Sequence, residues 1–196
     1  MNKEDVVSRK MEKDQETEIF KDSEDTETIR NILNGSINEY KKIVDKYQKP
    51  VYNHFLRLFH NPVEAEDMTQ SVFIRAYEKL DSYKSEYRFF SWLYRIAINM
   101  SINRLKTRAT FTGLDQVRDQ LPAMDDQADE KLTLVESAVN NLKIHYKQVI
   151  ILKYYQKLSY GDIAYALNIS ENKVRSRLYD ARIQLKNILE KKGFFN

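Results

Sequence analysis

Asn172, Arg175, Ser176 and Tyr179 carry the clearest chemical signal in this chain. At about 100° per residue they share one face of a helix, opposite an apolar row of Val174, Leu178, Ala181 and Leu185. A face of hydrogen-bonding side chains on a short helix suits the base edges and phosphates of a DNA major groove. The same pattern also fits an ordinary helical hairpin with a solvated basic face. Covalent or metal chemistry finds less support. His54, His60 and His145 are scattered, without metal-ligand spacing to carboxylates. Glu64 and Asp67, three apart, could in principle hold magnesium as in a nuclease, but no second acidic cluster accompanies them. There is no phosphate-binding glycine loop and no nucleophile motif. Catalytic chemistry is therefore hard to find in these residues, and neither a metal nor a cofactor is expected.

The elements that must position these groups are helical. Ser159 with Asp162 is a capping-box start, Asn168 tolerates the left-handed backbone of a tight turn, and Ser170 opens the next helix. Together Leu158–Leu189 read as a helix-turn-helix. Upstream, Asn61-Pro62 is a cap followed by proline at the first helical position. The helix from Pro62 to Leu80 has a core stripe of Ala65, Met68, Val72, Ala76 and Leu80. Asp67, Gln70, Ile74 and Tyr77 lie on its other side, as either a protein-docking surface or scattered surface apolar residues. Residues 81–88, DSYKSEYR, form a polar loop. The helix that follows, FFSWLYRIAINMSINRLKTR, is apolar early and basic late, with Trp92 expected in the core. It offers Arg95, Asn99, Asn103 and Arg104 as donors, near tyrosines able to stack on unpaired bases. Nearer the N-terminus, Glu27–Asn34 should form a short helix ending at Gly35. Ser36 and Glu39 should cap a second helix, which carries on with a kink past Pro50.

Composition places this pattern in an all-α fold of two small helical domains. The chain has 196 residues, 42% of them apolar, with Gly 4 and Pro 3 leaving few turn residues for a β-rich fold. The absence of cysteine suits a reducing compartment. No apolar run approaches the roughly 18 residues of a membrane span. The N-terminus lacks the apolar segment of a signal peptide, so the expected location is cytoplasmic, without membrane insertion. Charge divides the chain: residues 1–28 carry net −5, 29–108 net +6, 109–130 net −5 and 131–196 net +7. The expected organisation is a polar N-terminal stretch, either a mobile tail or a frayed helix (1–28), a first basic domain (29–108), a flexible acidic linker (109–130) and a four-helix domain holding the helix-turn-helix (131–192). Two basic blocks joined by an acidic connector suggest two polyanion-binding modules.

Three blocks then carry a resemblance, together spanning roughly Thr28 to Lys191: VEAEDMTQSVFIRAYEKL (63–80), FFSWLYRIAINMSINRLK (89–106) and LSYGDIAYALNISENKVRSRLYDAR (158–182). In this order and at these separations the chain resembles the bacterial sigma factors of RNA polymerase, specifically the small two-domain extracytoplasmic-function group. The resemblance implies that Glu64, Glu66, Asp67, Gln70 and Ile74 bind core RNA polymerase at the clamp helices of its largest subunit, with the flap as a further contact. It implies that Tyr83, Lys84, Arg88, Arg95, Asn99 and Asn103 melt and read minus-ten promoter DNA. Asn172, Lys173, Arg175, Ser176, Arg177, Tyr179 and Arg182 would read the minus-thirty-five element. The linker would thread toward the polymerase cleft, and an anti-sigma factor becomes a further expected partner. The match has departures. Asn168 stands where the family usually has glycine, Asp180 where a basic residue is common, Lys143 for a proline and Gly161 for a glutamate. The rival readings are a helix-turn-helix regulator acting without polymerase, which leaves the first two blocks unexplained, and the nuclease or recombinase class that the Glu64/Asp67 pair would serve.

Overall fold

The computed structural model describes residues 24–112 and 130–195. The described residues are helical, with no strand among them. The first helix, α1 (24–33), buries Asp25, Thr28, Ile29 and Ile32 along one side. Asp25 accepts hydrogen bonds from Lys46 Nζ and the Tyr47 hydroxyl of the next helix. Of the stretch 1–28, residues 24–28 are helical and packed, and the rest lies outside the described residues. Gly35 (φ 105°) ends α1 in a backbone conformation that side-chain-bearing residues rarely adopt.

The capping box expected at Ser36 does not form. Ser36 makes no side-chain cap, a single 3-10 turn (Ile37–Glu39) intervenes, and Glu39 instead accepts from Asn31 Nδ2 at 3.3 Å. Helix α2 (Tyr40–Phe59) runs through Pro50 and buries Ile43, Tyr47, Val51, His54, Phe55, Leu58 and Phe59. His60 closes it with a left-handed backbone (φ 54°). At the start of α3 (Pro62–Glu78) the Asn61 side chain accepts from Glu64 N at 3.1 Å, with Pro62 in the first turn, as the residue types require. Its core side is Ala65, Thr69, Val72, Phe73 and Ala76. Leu80 is buried too, but in a separate 3-10 turn, Leu80–Ser82. The Tyr40 hydroxyl donates to Phe73 O at 2.6 Å and ties α2 to α3.

Helix α4 (Phe89–Thr112) passes under both and buries Phe89, Trp92, Leu93, Tyr94, Ala97 and Ile98. It carries regular structure into residues 109–112, which the charge pattern had given to the linker; the remainder of the linker up to residue 129 lies outside the described residues.

The second group comprises α5 (Glu130–Asn140), α6 (Ile144–Ile150), a π-helical turn (Ile151–Tyr155), α7 (Tyr160–Leu167) and α8 (Glu171–Lys191). The π turn was not foreseen; Gln156 caps it, and Lys157 beyond takes a left-handed backbone (φ 54°). Val149, Ile150, Leu152 and Leu158 form a floor on which Ile163 of α7 and Val174 and Leu178 of α8 pack. The buried side chains of the two groups make one contiguous cluster, and α7 of the helix-turn-helix rests directly on α4.

Candidate polymerase and nucleic-acid interfaces

The helix-turn-helix is built as its residue types demand. The Ser159 side chain accepts from Asp162 N at 3.1 Å, and the Asp162 carboxylate takes Ser159 N and Oγ, a complete capping box. Asn168 ends α7 in the left-handed region (φ 53°), the conformation that lets it stand for glycine. Ser170 caps α8 by accepting from Lys173 N at 3.3 Å. Val174, Leu178 and Ala181 are buried, and Leu185 packs against the core from a half-buried position. The opposite face is open: Asn172, Lys173, Arg175, Ser176, Tyr179 and Arg182 are exposed, and Arg177 is half-buried.

Arg175 of this set is held in place. The Arg175 guanidinium lies 4.5 Å from the Tyr160 ring and 3.5 Å from a Glu171 oxygen, which limits its rotamers while leaving its donors outward. Burial, followed by the charges of Arg177, Lys143 and Lys173, holds the His145 imidazole below its ordinary pKa. Arg177, Lys143 and Lys173 put positive charge along this edge, which suits a surface meeting phosphates.

On α3, Glu66, Asp67 and Gln70 are exposed, and Ile74 is 63% exposed. Val63 and Tyr77 extend that face, and Tyr77 meets Tyr40 edge-on at 5.0 Å beside a groove with Ile37. An acidic and amide row flanked by large apolar side chains has the make-up of a protein-docking surface. Glu64 differs from its expected companions. Its carboxylate accepts from Arg104 Nε at 2.7 Å and is largely covered, bracing α3 against α4.

The expected minus-ten residues divide similarly. Lys84, Asn99 and Asn103 are exposed, whereas Tyr83, Arg88 and Arg95 are half-buried. Tyr83 donates to Tyr87 O at 2.8 Å, and its ring packs edge-on against Phe89 and Trp92, so it stiffens the 83–88 loop. Arg88 and Arg95 turn toward α7. Sequence reasoning counted Tyr87 among the loop tyrosines able to stack on bases but not its pairing with Tyr165, whose ring stacks on it at 3.9 Å. Both look like ordinary exposed tyrosines until the two groups are brought together.

Comparison with known proteins fits this arrangement. Residues 43–111 match the family model Sigma-70 region 2, and residues 132–185 match Sigma-70, region 4. The chain is 32% identical over 176 residues to ECF RNA polymerase sigma factor SigW of Bacillus subtilis strain 168, covering 82% of this chain and 94% of that protein. The chain belongs to the extracytoplasmic-function sigma factors. A second relative, the RNA polymerase sigma-H factor of Pseudomonas aeruginosa, is 28% identical over 182 residues, covering 85% of this chain and 94% of its own length. Among solved structures, the sigma factor RpoE bound to the anti-sigma factor NepR from Bartonella quintana superposes with a TM-score of 0.68 at 21% identity, covering 78% of this chain and 97% of that one. CnrH in complex with the cytosolic domain of CnrY gives 0.65 at 20% identity, covering 84% and 96%. These two likenesses establish the fold. Within the sigma-factor frame, the α3 face falls in region 2 and the α8 face in region 4.

Proposed function

We propose that this sigma factor docks on core RNA polymerase through Glu66, Asp67, Gln70 and Ile74 of α3, with Val63 and Tyr77 widening the contact. Glu64 acts there only indirectly, by fixing α3 against Arg104. Lys84, Arg88, Arg95, Asn99 and Asn103 engage the opened minus-ten DNA, and Tyr83 shapes the loop that presents them. Asn172, Lys173, Arg175, Ser176, Arg177, Tyr179 and Arg182 read the minus-thirty-five major groove. The functional units are 29–108 and 131–192, joined by the acidic segment 109–130. Catalysis belongs to the polymerase, in the cytoplasm, and an anti-sigma factor is the natural antagonist of a chain with two such faces.

One observation carries this reading: a single chain exposes an acidic-apolar face on α3 and a hydrogen-bonding, basic face on α8. A regulator acting without polymerase has no use for the first. Modest basic surfaces that must act at a fixed spacing bind selectively only when a larger body holds them. Run-off transcription over genomic DNA with core polymerase tests the proposal. Discrete transcripts should require both components. Tight, sequence-specific binding of duplex DNA by the chain alone, without promoter-directed transcripts, would overturn it.

A further inference from the structure

A small cleft opens on the seam between the two helical groups, where α2 faces the π-helical turn. Lys49, Pro50, Asn53 and Arg57 form one wall at helical spacing, and Tyr155 and Gln156 form the other, around about 250 Å³. No carboxylate lines it. Among the described residues neither Lys49 nor Arg57 takes part in an ion pair. The Arg57 guanidinium lies 4.2 Å from the centre of the Tyr155 ring. Its Nη1 donates to Asn53 O at 3.2 Å, but its Nε is buried without a hydrogen-bond partner. Gln156 Nε2 reaches Pro50 O only at 3.5 Å, so that donor is barely used. Burial, followed by the charge of Glu136, holds the Tyr155 hydroxyl above its ordinary pKa, which keeps it a neutral donor beside the cleft.

The π-helical turn completes the second wall. Its wider turn carries Tyr155 and Gln156 round to α2, and Lys157 just beyond adopts a left-handed backbone (φ 54°) that a side-chain-bearing residue rarely takes. Irregular turns of this kind recur at functional sites. Under-used donors facing one space, two of them cationic, call for an anion. We propose that this cleft binds a small phosphate-bearing anion, held by Lys49 and Arg57 and flanked by the Asn53 and Gln156 amides. A tetrahedral oxyanion sends its oxygens in diverging directions and meets donors on both walls. A carboxylate, with two oxygens in one plane, leaves some of them unused. The volume suits an anion of mononucleotide size or below. Such a ligand touches α2 and the π-helical turn at once, so it stabilises the assembled chain by mass action. None of the lining residues belongs to the polymerase-binding or DNA-reading sets, and the inference stands apart from the sigma-factor reading.

The test titrates the full chain with sodium phosphate by isothermal calorimetry at fixed ionic strength, with sodium acetate as the control. Phosphate should bind at one site with a Kd on the order of 1 mM. At about 10 mM it should raise the melting temperature by roughly 3–6 °C, and acetate should not. Lys49→Glu reverses a charge at an exposed position. It should weaken phosphate binding about tenfold or more and leave the melting temperature in acetate nearly unchanged. Arg57→Lys keeps the charge and loses the planar fork, and should weaken binding by a similar factor. Since Arg57 also packs on Tyr155, Lys49→Glu decides the matter if the second variant unfolds. Adenosine monophosphate separates the sources: tighter binding than phosphate names a nucleotide, equal or weaker binding names free phosphate. No binding of either, an equal response to acetate, or unchanged affinity in Lys49→Glu would overturn the site. So would displacement of phosphate by a short single-stranded DNA at far lower concentration than by adenosine monophosphate, which would assign the cleft to a nucleic-acid backbone.

Discussion

Lys147 Nζ lies 3.1 Å from His60 Nε2 across the seam, joining a buried lysine of α6 to the residue that closes α2. Among the described residues no carboxylate pairs with Lys147, although it is only 5% exposed. Burial lowers its pKa from 10.5 to about 8. To accept from the ammonium, His60 must present an unprotonated Nε2.

Lys147→Met should therefore stabilise the protein at neutral pH. Because the folded-state pKa is depressed, the unfolded chain binds the proton more tightly, and the full penalty applies below about pH 8. Removing it should gain on the order of 2–3 kcal/mol at pH 7. Between about 8 and 10.5 the penalty fades, so urea melts near pH 10 should show a much smaller advantage. An advantage independent of pH would assign the gain to packing instead.

His54 should make the fold sensitive to acid. It is fully buried between Phe55 and Tyr94, neither ring nitrogen has a hydrogen-bond partner, and its pKa falls from 6.5 to about 4. Burial is the main cause, followed by the charges of Lys147 and Arg57. The unfolded chain takes up this proton first, so stability should drop as pH falls from 6.5 toward 4, by roughly 1.4 kcal/mol per unit at most. His54→Leu should flatten that slope in denaturant titrations. Parallel loss in both proteins would shift the acid sensitivity to other groups.

Asp67→Lys should abolish association with core polymerase and leave the melting temperature nearly unchanged. Asp67 is exposed on α3, where substitutions usually move stability by no more than about 0.5 kcal/mol. At an interface, like-charge juxtaposition costs several kcal/mol. Co-purification with core polymerase and thermal melts give the two readouts. Normal co-purification of the folded variant would remove Asp67 from the docking face.

Arg175→Ala should keep polymerase binding and weaken promoter choice. If the guanidinium reads a base bidentately, the loss should be about 1–3 kcal/mol and confined to one position of the upstream element. Contact with phosphate alone would lower affinity evenly across sequences and make its salt dependence shallower. Transcription from a panel of upstream-element variants distinguishes these outcomes. A wild-type profile on every variant would exclude Arg175 from recognition.

Local rules carried most of the fold. The Ser159–Asp162 capping box, the Asn168 turn, the Asn61-Pro62 start and the apolar rows of α3 and α8 are interactions within a few residues, so spacing and residue type suffice to read them. The exposed faces of α3 and α8 follow, because a helix that buries one row must present the other. Ser36 shows where such rules stop, since Glu39 found a partner in Asn31, on another helix, in place of the local cap. Glu64 kept the helix assigned to it but spends its carboxylate on Arg104, forty residues away. The seam lies wholly beyond local reading. Asp162 meeting Arg88 and Ser91, Tyr165 on Tyr87, and Lys147 buried against His60 each join residues from helices distant in sequence. Neither helical period nor capping chemistry encodes which helix face will meet which; that is decided when the apolar surfaces of α2, α4, α6 and α7 are buried together, and the polar groups at their margins must then find partners where they land.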